Sequence, residues 1–250
     1  MAKYGLIGNN IEYSFSKTFF NSKFKKEERS DSYENFDIPD LSQFSEILLN
    51  NPNLKGLNVT IPYKESIIEC LDIIDSNAQK IGAINTIKIT SEGKLIGYNT
   101  DYIGFKKSLN NLLPISKKNA LVLGTGGASK AIVYTLKSLN YSVTQVSRVK
   151  KEGITTYAEL NKEAMIQHQL IINCTPLGTF PNIDQYPDIP YQHITKSHLI
   201  FDLTYNPLET MFMKLSKEQG ARVSNGLKML EFQAEEAWSI WEVKNIYIFF

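Results

Sequence analysis

A chain of 250 residues has room for one large or two modest domains and excludes a long multidomain assembly. With 42% hydrophobic and only 21% charged residues it can build packed cores, which rules out a disordered chain. Lys plus Arg (27) against Asp plus Glu (26) leaves +1, so there is no electrostatic footprint for nucleic acid. The short basic run at 23–29 reads as a solvated helix face.

In chain order, the first hundred residues alternate short β-like runs with helical patterns. Strands are predicted at 4–7, 32–38, 56–60, 83–89 and 94–98, and helical spacing occurs at 16–26 and 64–74. This is a mixed α/β unit. Residues 101–113 read as a linking helix that ends before Pro114. Continuous apolar runs follow at 120–123, 143–146, 170–174 and 199–203, separated by helical or loop segments, the pattern of a parallel, doubly wound sheet. The stretch 176–190, with four prolines, is the most loop-like. A last helix is predicted from Leu227 to about Val243, its apolar members Leu230, Ala234, Ala237 and Trp241 recurring every three or four residues. At about 100° per residue Gln233 falls on the border of that stripe.

Cys70 and Cys174 lie far apart and outside any C-x-x-C spacing, and His168, His193 and His198 read as surface or packing residues. No metal site is expected. The first residues, with Asn9, Asn10 and Glu12, form no apolar signal core, and no stretch approaches the ~18 apolar residues of a membrane helix. The expectation is a soluble cytoplasmic protein.

The strongest local signal is Leu121-Val-Leu-Gly124-Thr-Gly126-Gly127-Ala128-Ser129, a Gly-rich turn between a buried strand and a helix. Gly124 permits the tight turn, Gly126 lets backbone approach a pyrophosphate, and the helix N-terminus offers free N–H groups to phosphate. Ser129 stands where the common fingerprint has its third glycine, and it is small enough for close helix–strand packing. After the next strand come Ser147 and Arg148 instead of an acidic residue. A guanidinium suits a 2′-phosphate that a carboxylate would repel, so the expected cofactor is NADP(H).

Polar residues also gather at strand ends in the first hundred. Ser14 and Ser16 precede a helix, where one can cap and both can face an anion. Thr60 and Lys64 follow a strand, and Gly82-Ala-Ile-Asn85-Thr86 and Gly97-Tyr-Asn99-Thr100-Asp101 add amides, hydroxyls and a carboxylate.

In this order, Ser-x-Ser, Asn58-Val-Thr-x-Pro-x-Lys, Gly-Ala-x-Asn-Thr, Asn-Thr-Asp-x-x-Gly, the Gly-rich turn and Gly226-Leu-x-Met-Leu-x-x-Gln-Ala resemble shikimate dehydrogenase, from Gly5 to about Ala234. The resemblance implies a two-domain α/β fold: a substrate domain at 1–100 plus about 227–250, and an NADP-binding Rossmann-type domain at 101–226, with the C-terminal helix returning to the first. It implies that Ser14 and Ser16 bind a substrate carboxylate, that Thr60, Asn85 and Gln233 bind ring hydroxyls, and that Lys64 and Asp101 form the catalytic pair. Asn173-Cys-Thr175-Pro-Leu-Gly178 looks like the family's loop beside the cofactor. Asp202-Leu203-Thr-Tyr205-Asn-Pro207 and Gly226 look like its segments near nicotinamide and substrate, with Tyr205 toward the substrate and Leu203 toward the cofactor. The implied reaction is reversible reduction of 3-dehydroshikimate to shikimate with NADPH, by a monomer or homodimer with no nucleic-acid or membrane partner. Two alternatives stand beside it: a broader quinate/shikimate dehydrogenase using NAD or NADP, and a non-catalytic NADP(H)-binding sensor. The sequence departs from the family after Ser16, where Lys17-Thr-Phe-Phe20-Asn21 replaces Pro-x-x-His-Asn, and in an apolar tail at 246–250.

Overall fold

The computed structural model describes residues 1–12, 14–112, 115 and 117–243. The apolar tail at 246–250, Leu113 and Pro114 lie outside them. The chain divides into two compact units, Met1–Ile103 with Gln233–Phe250, and Gly104–Phe232. The sequence expectation put the last helix wholly with the first unit; in the structure its opening residues, 227–232, count with the second. Among the described residues no helix is long and apolar enough to cross a membrane.

In the first unit the elements run β1 (Lys3–Gly8), α1 (Phe15–Lys26), β2 (Ser32–Asp37), α2 (Phe44–Asn50), β3 (Leu54–Val59), β4 (Ile73–Ile74), α3 (Ser76–Ile81), β5 (Thr86–Ile89), β6 (Leu95–Tyr98) and the start of α4 (Asp101–Asn110). Its sheet has the order β2-β1-β3-β5-β6-β4. β1 is parallel to β2 and β3, whereas β5 is antiparallel to β3 and β6. The helix expected at 64–74 is not formed. A five-residue 3-10 helix, Ser66–Cys70, is followed by β4, which pairs with β6. The four isoleucines of this stretch (67, 68, 73 and 74) are β-branched and favour extended backbone where a neighbour strand is open. The strand expected at 83–89 shortens to β5 because Ile84 and Asn85 give their N–H groups to the carbonyls of Lys64 and Tyr98.

One face of this sheet packs Ile7, Leu57, Val59 and Ile87 against Phe44, Ile47 and Ile67. The other carries an aromatic cluster built from Tyr4, Phe20, Phe24 and Tyr33 with Ala234, Ala237, Trp238 and Trp241 of α8 (Leu227–Glu242). Tyr4 stacks on Trp241 at 4.9 Å and Phe20 on Tyr33 at 4.8 Å between ring centroids. The basic run is only partly a solvated face. Arg29 lies 4.6 Å over the Trp238 ring and makes a forked ion pair with Glu242 (3.0 and 3.1 Å), while Lys23 bonds Glu235 at 3.1 Å. These two cations tie α1 and the following loop to α8. Buried Lys88 donates to the Ile240 carbonyl at 2.8 Å and to the Val243 carbonyl, satisfying acceptors at the end of α8. Burial lowers its pKa from the ordinary lysine value.

Trp241 also donates from Nε1 to the Ile87 carbonyl at 3.0 Å, and its indole occupies the space where Gly56 would carry a Cβ. Gly56→Ala is therefore expected to cost about 1–3 kcal/mol by overpacking. A lower urea midpoint at unchanged slope would show it; an unchanged midpoint would mean that the indole moves freely.

The second unit holds the rest of α4, then β7 (Asn119–Leu123), α5 (Gly127–Ser138), β8 (Ser142–Ser147), β9 (Thr155–Thr156), α6 (Lys162–Gln167), β10 (Leu170–Asn173), β11 (Leu199–Asp202), α7 (Met211–Glu218), β12 (Arg222–Ser224) and the start of α8. The sheet order is β12-β11-β10-β7-β8-β9 and every pairing is parallel. Read from β7, this is the doubly wound Rossmann order, with its reversal between β7 and β10. Alternate residues of β7 face opposite cores. Ala120 and Val122 pack with Phe105, Ile132 and Leu136, and Leu121 and Leu123 with Met165, Ile200 and Phe212. Both faces are covered, which is why these strands read as unbroken apolar runs. His168 and His198 are buried packing residues here, the former bonded to Thr144 and the latter to the Met165 carbonyl.

Candidate active site and nucleotide site

In the first unit, polar side chains converge at the ends of β3, β5 and β6. Lys64 follows a turn in which the Tyr63 N–H donates to the Thr60 carbonyl, and Tyr63 is pinned by its hydroxyl to the Ile38 carbonyl at 2.7 Å. The Lys64 Nζ lies 2.7 Å from Asp101 Oδ2, with side-chain exposures of 14% and 3%. Asp101 begins α4. Its Oδ1 accepts from Asn85 Nδ2 at 2.8 Å. The Asn85 amide is oriented by the Thr100 backbone N–H, which donates to Oδ1 at 2.6 Å, so that Nδ2 also faces Thr100 Oγ1 and Gln233 Oε1, both at 3.0 Å. Gln233, placed at the border of the apolar stripe, thus meets the network through its amide.

The network extends further than the sequence reading. Asn58 Nδ2 donates to the Asn85 carbonyl and to Thr86 Oγ1, both at 3.2 Å, and Asn58 Oδ1 accepts from the Tyr33 hydroxyl at 2.8 Å. Burial drives the Tyr33 hydroxyl well above the ordinary phenol pKa. A continuous set of hydrogen bonds therefore joins Tyr33 to Lys64 through Asn58, Asn85 and Asp101. Tyr33 was not singled out in the sequence, and Asn58, Thr86 and Thr100 stood there only as members of motifs and strand-end clusters, with no role of their own. The β-strand alternation that puts Asn58 on the aromatic face of β3 was the available signal. Ser14 caps α1 by accepting from the Lys17 N–H at 3.3 Å. Thr60 is half-buried just beyond β3, its backbone held by the Ile7 carbonyl, and its hydroxyl forms no hydrogen bond among the described residues.

In the second unit the Gly-rich turn leaves β7 at Gly124, whose φ of +110° is left-handed backbone that glycine adopts without strain. A Cβ there would press on the Cys174 carbonyl carbon and Thr175 Cγ2, both at 3.3 Å. At Gly126 a Cβ would meet nothing within 4 Å, and no side chain caps α5, so Gly127 and Ala128 open the helix toward free space. Ser129 is fully buried and donates to the Gly126 carbonyl at 2.7 Å, filling the third-glycine position as a packing residue. These N–H groups around an open space, with an uncapped helix end, fit a pyrophosphate.

Beyond β8, Ser147 accepts from the Val149 N–H, and the exposed Arg148 guanidinium makes no hydrogen bond among the described residues. The neighbouring Lys150 is engaged, 2.5 Å from Glu159, whose carboxyl that bond and those from Thr156 draw down to about 2. Thr175 donates both its N–H (3.0 Å) and its hydroxyl (2.6 Å) to Asn173 Oδ1. Leu203 donates its N–H to the Asn173 carbonyl at 3.0 Å, and Gly226 is buried against the Leu203 backbone, where any side chain would collide. Gly226 is thus a close-packing position behind the loop that carries Leu203 and the half-buried Tyr205. Gly124, Arg148, Thr175 and Leu203 all stand at the carboxyl ends of parallel strands, on either side of the reversal, where ligands of open α/β sheets bind.

Comparison with known proteins agrees with this geometry. Residues 6–87 match the family model for the shikimate dehydrogenase substrate binding domain. A shikimate dehydrogenase (NADP(+)) of Clostridium botulinum is 41% identical, covering 97% of each chain. Among solved structures, shikimate dehydrogenase from Aquifex aeolicus superposes with a TM-score of 0.87 at 35% identity, over 97% of this chain and 92% of that one. The Thermus thermophilus shikimate 5-dehydrogenase in complex with NADP(H) and shikimate gives 0.85 at 28% identity, over 97% and 94%. This chain belongs to the shikimate dehydrogenase family.

Proposed function

We propose that this chain is the NADP-dependent shikimate dehydrogenase that interconverts 3-dehydroshikimate and shikimate on the route to chorismate and the aromatic amino acids. It acts in the cytoplasm, as a monomer or homodimer, on a small-molecule substrate. The observation that carries the reading is the Lys64–Asp101 pair at 2.7 Å, held in place by Asn85. A binding protein or sensor needs no proton-transfer pair, and Arg148 in place of an acidic residue favours NADP(H) over NAD(H).

Ser14 and Ser16 offer hydroxyl donors to the substrate carboxylate near the N-terminus of α1, and Thr60, Asn85 and Gln233 offer hydroxyl and amide groups to a ring diol. Tyr205 is assigned to the substrate as well. Lys64 donates to the oxygen of the carbonyl being reduced and supplies the proton that turns it into a hydroxyl, while Asp101 orients the amine and shares the proton. Gly124, Gly126, Gly127 and Ala128 would hold the pyrophosphate, Ser147 and Arg148 the phosphorylated ribose, and Thr175, Leu203 and Gly226 the remainder of the cofactor. NADPH, when bound, supplies the hydride.

The test is absorbance at 340 nm with shikimate and NADP⁺, run in parallel with NAD⁺ and with quinate. Growth with shikimate and NADP⁺ alone supports the reading; equal turnover of quinate or NAD⁺ moves the protein to the broader activity, and NADPH binding without turnover to a sensor. Ser14→Ala is expected to raise the KM for shikimate about 10-fold or more, the scale of a lost hydrogen bond to a charged group, with kcat within about threefold. A loss confined to kcat would remove Ser14 from the carboxylate.

A further inference from the structure

Asp202, the last residue of β11, is fully buried and has no part in the mechanism above. No cation pairs with it among the described residues. Its Oδ1 accepts from Asn173 Nδ2 and from the Thr204 N–H, both at 3.0 Å, and its Oδ2 accepts from Thr210 Oγ1 at 2.6 Å. The three donors come from three segments: the end of β10, the loop after β11 and the start of α7.

An ionised carboxylate only accepts, so it fixes which way the Asn173 amide points. With Nδ2 turned to Asp202, Asn173 Oδ1 faces the other way and takes both the N–H and the hydroxyl of Thr175. Thr175 in turn packs where Gly124 lacks a side chain. Thr204, whose N–H is the backbone donor to Asp202, links Leu203 to Tyr205, and its carbonyl accepts the Gly226 N–H at 3.0 Å. One buried carboxylate therefore underlies the loops that leave β10 and β11, and through Thr175 it bears on the turn that leaves β7.

We propose that Asp202 is a positioning residue for the dinucleotide, holding Asn173 and Thr204 so that the Thr175 and Leu203 loops keep the shape that receives NADP(H). This rests on the cofactor reading given above. A carboxylate without a cation is costly to bury, and its retention here is explained by the two oxygens it presents to donors from three segments. A role in stability alone would be indifferent to which of those bonds is lost. A positioning role depends on the Oδ1 side, toward Asn173 and Thr204, more than on the Oδ2 side, toward Thr210.

The experiment is a fluorescence titration of the full chain with NADPH, alongside thermal unfolding, for four proteins. Asp202→Ala removes all three bonds and is expected to raise the Kd at least 10-fold. Asp202→Asn can keep its oxygen on Asn173 and Thr204 and turn its amide to Thr210 Oγ1, and is expected to restore the Kd to within threefold of wild type. Thr210→Val removes only the Oδ2 bond and the cap of α7, and should lower the unfolding temperature with the Kd within twofold. A folded Asp202→Ala with unchanged Kd, or a Thr210→Val rise equal to that of Asp202→Ala, overturns the proposal. If Asp202→Ala does not fold, Asn173→Ala cuts the next link and must raise the Kd by the same 10-fold for the proposal to stand. Failure of the wild-type chain to bind NADPH would overturn the cofactor reading itself, a result separate from normal binding by the variants.

Discussion

Replacing Lys64 by alanine is expected to lower kcat by about 10²–10⁴, the range of a positioned general acid, with the KM for shikimate shifted no more than a few-fold. The geometry behind this figure is a single short ion pair, Nζ to Oδ2 at 2.7 Å, in which the carboxylate is 3% exposed and the amine 14%. The amine is the more open partner, and so the one placed to reach a substrate oxygen, while Asp101 is fixed on its far oxygen by Asn85. The substitution has a second effect that must be measured beside the first. Asp101 would keep a buried charge with its cation gone, and breaking such a pair costs about 3–5 kcal/mol in fully buried cases, less here because water reaches the lysine. Steady-state assays at a temperature well below the unfolding transition of the variant separate the two. A kcat within about threefold of wild type in a folded variant would take Lys64 out of the chemistry. A rise in KM at constant kcat would make it a binding group only.

What the sequence disclosed and what it hid divide along physical lines. The doubly wound sheet was legible because both faces of β7, β10 and β11 are covered, leaving apolar runs that no amphipathic element would show. The turn at Gly124 was legible because its φ of +110° narrows the choice of residue to glycine. Lys64, Asp101, Asn85 and Gln233 were legible as motif members, and the structure joins them by hydrogen bonds between residues up to 148 positions apart. The stretch at 64–74 misled because Ile67, Ile68, Leu71 and Ile74 imitate helical spacing, and only the open edge of β6 decides in favour of a strand. Tyr33 was hidden for a related reason. It reads as an ordinary aromatic of a β-strand, and the partner that makes it part of a polar network, Asn58, lies on another strand. Lys23 and Arg29 looked like solvated charges because, beyond their local pairs with Glu27 and Asp31, the partners that tie them to α8, Glu235, Glu242 and Trp238, stand more than 200 residues further along the chain.

Arg148→Ala is expected to raise the KM for NADP⁺ by about 10–100-fold while leaving that for NAD⁺ nearly unchanged, since losing a charge-assisted hydrogen bond to a phosphate costs about 1.5–3 kcal/mol. The prediction turns on which cation after β8 is available. Lys150 is committed to Glu159, which also closes the cap at Thr156 through that residue's N–H and hydroxyl. Arg148 is exposed and keeps all its donors, and its planar fork matches phosphate geometry better than an ammonium does. A cation that reads the 2′-phosphate changes the ratio of the two cofactors, whereas one that reads the pyrophosphate weakens both alike. Parallel titrations of NADP⁺ and NAD⁺ therefore identify the group that Arg148 contacts. An equal rise for both would place the guanidinium at the shared part of the dinucleotide and return the choice of cofactor to Ser147 and the backbone around it. Because the site is exposed, the effect should shrink as salt is raised from 0.05 to about 0.5 M, while a fall in affinity caused by a misfolded β8 loop would not.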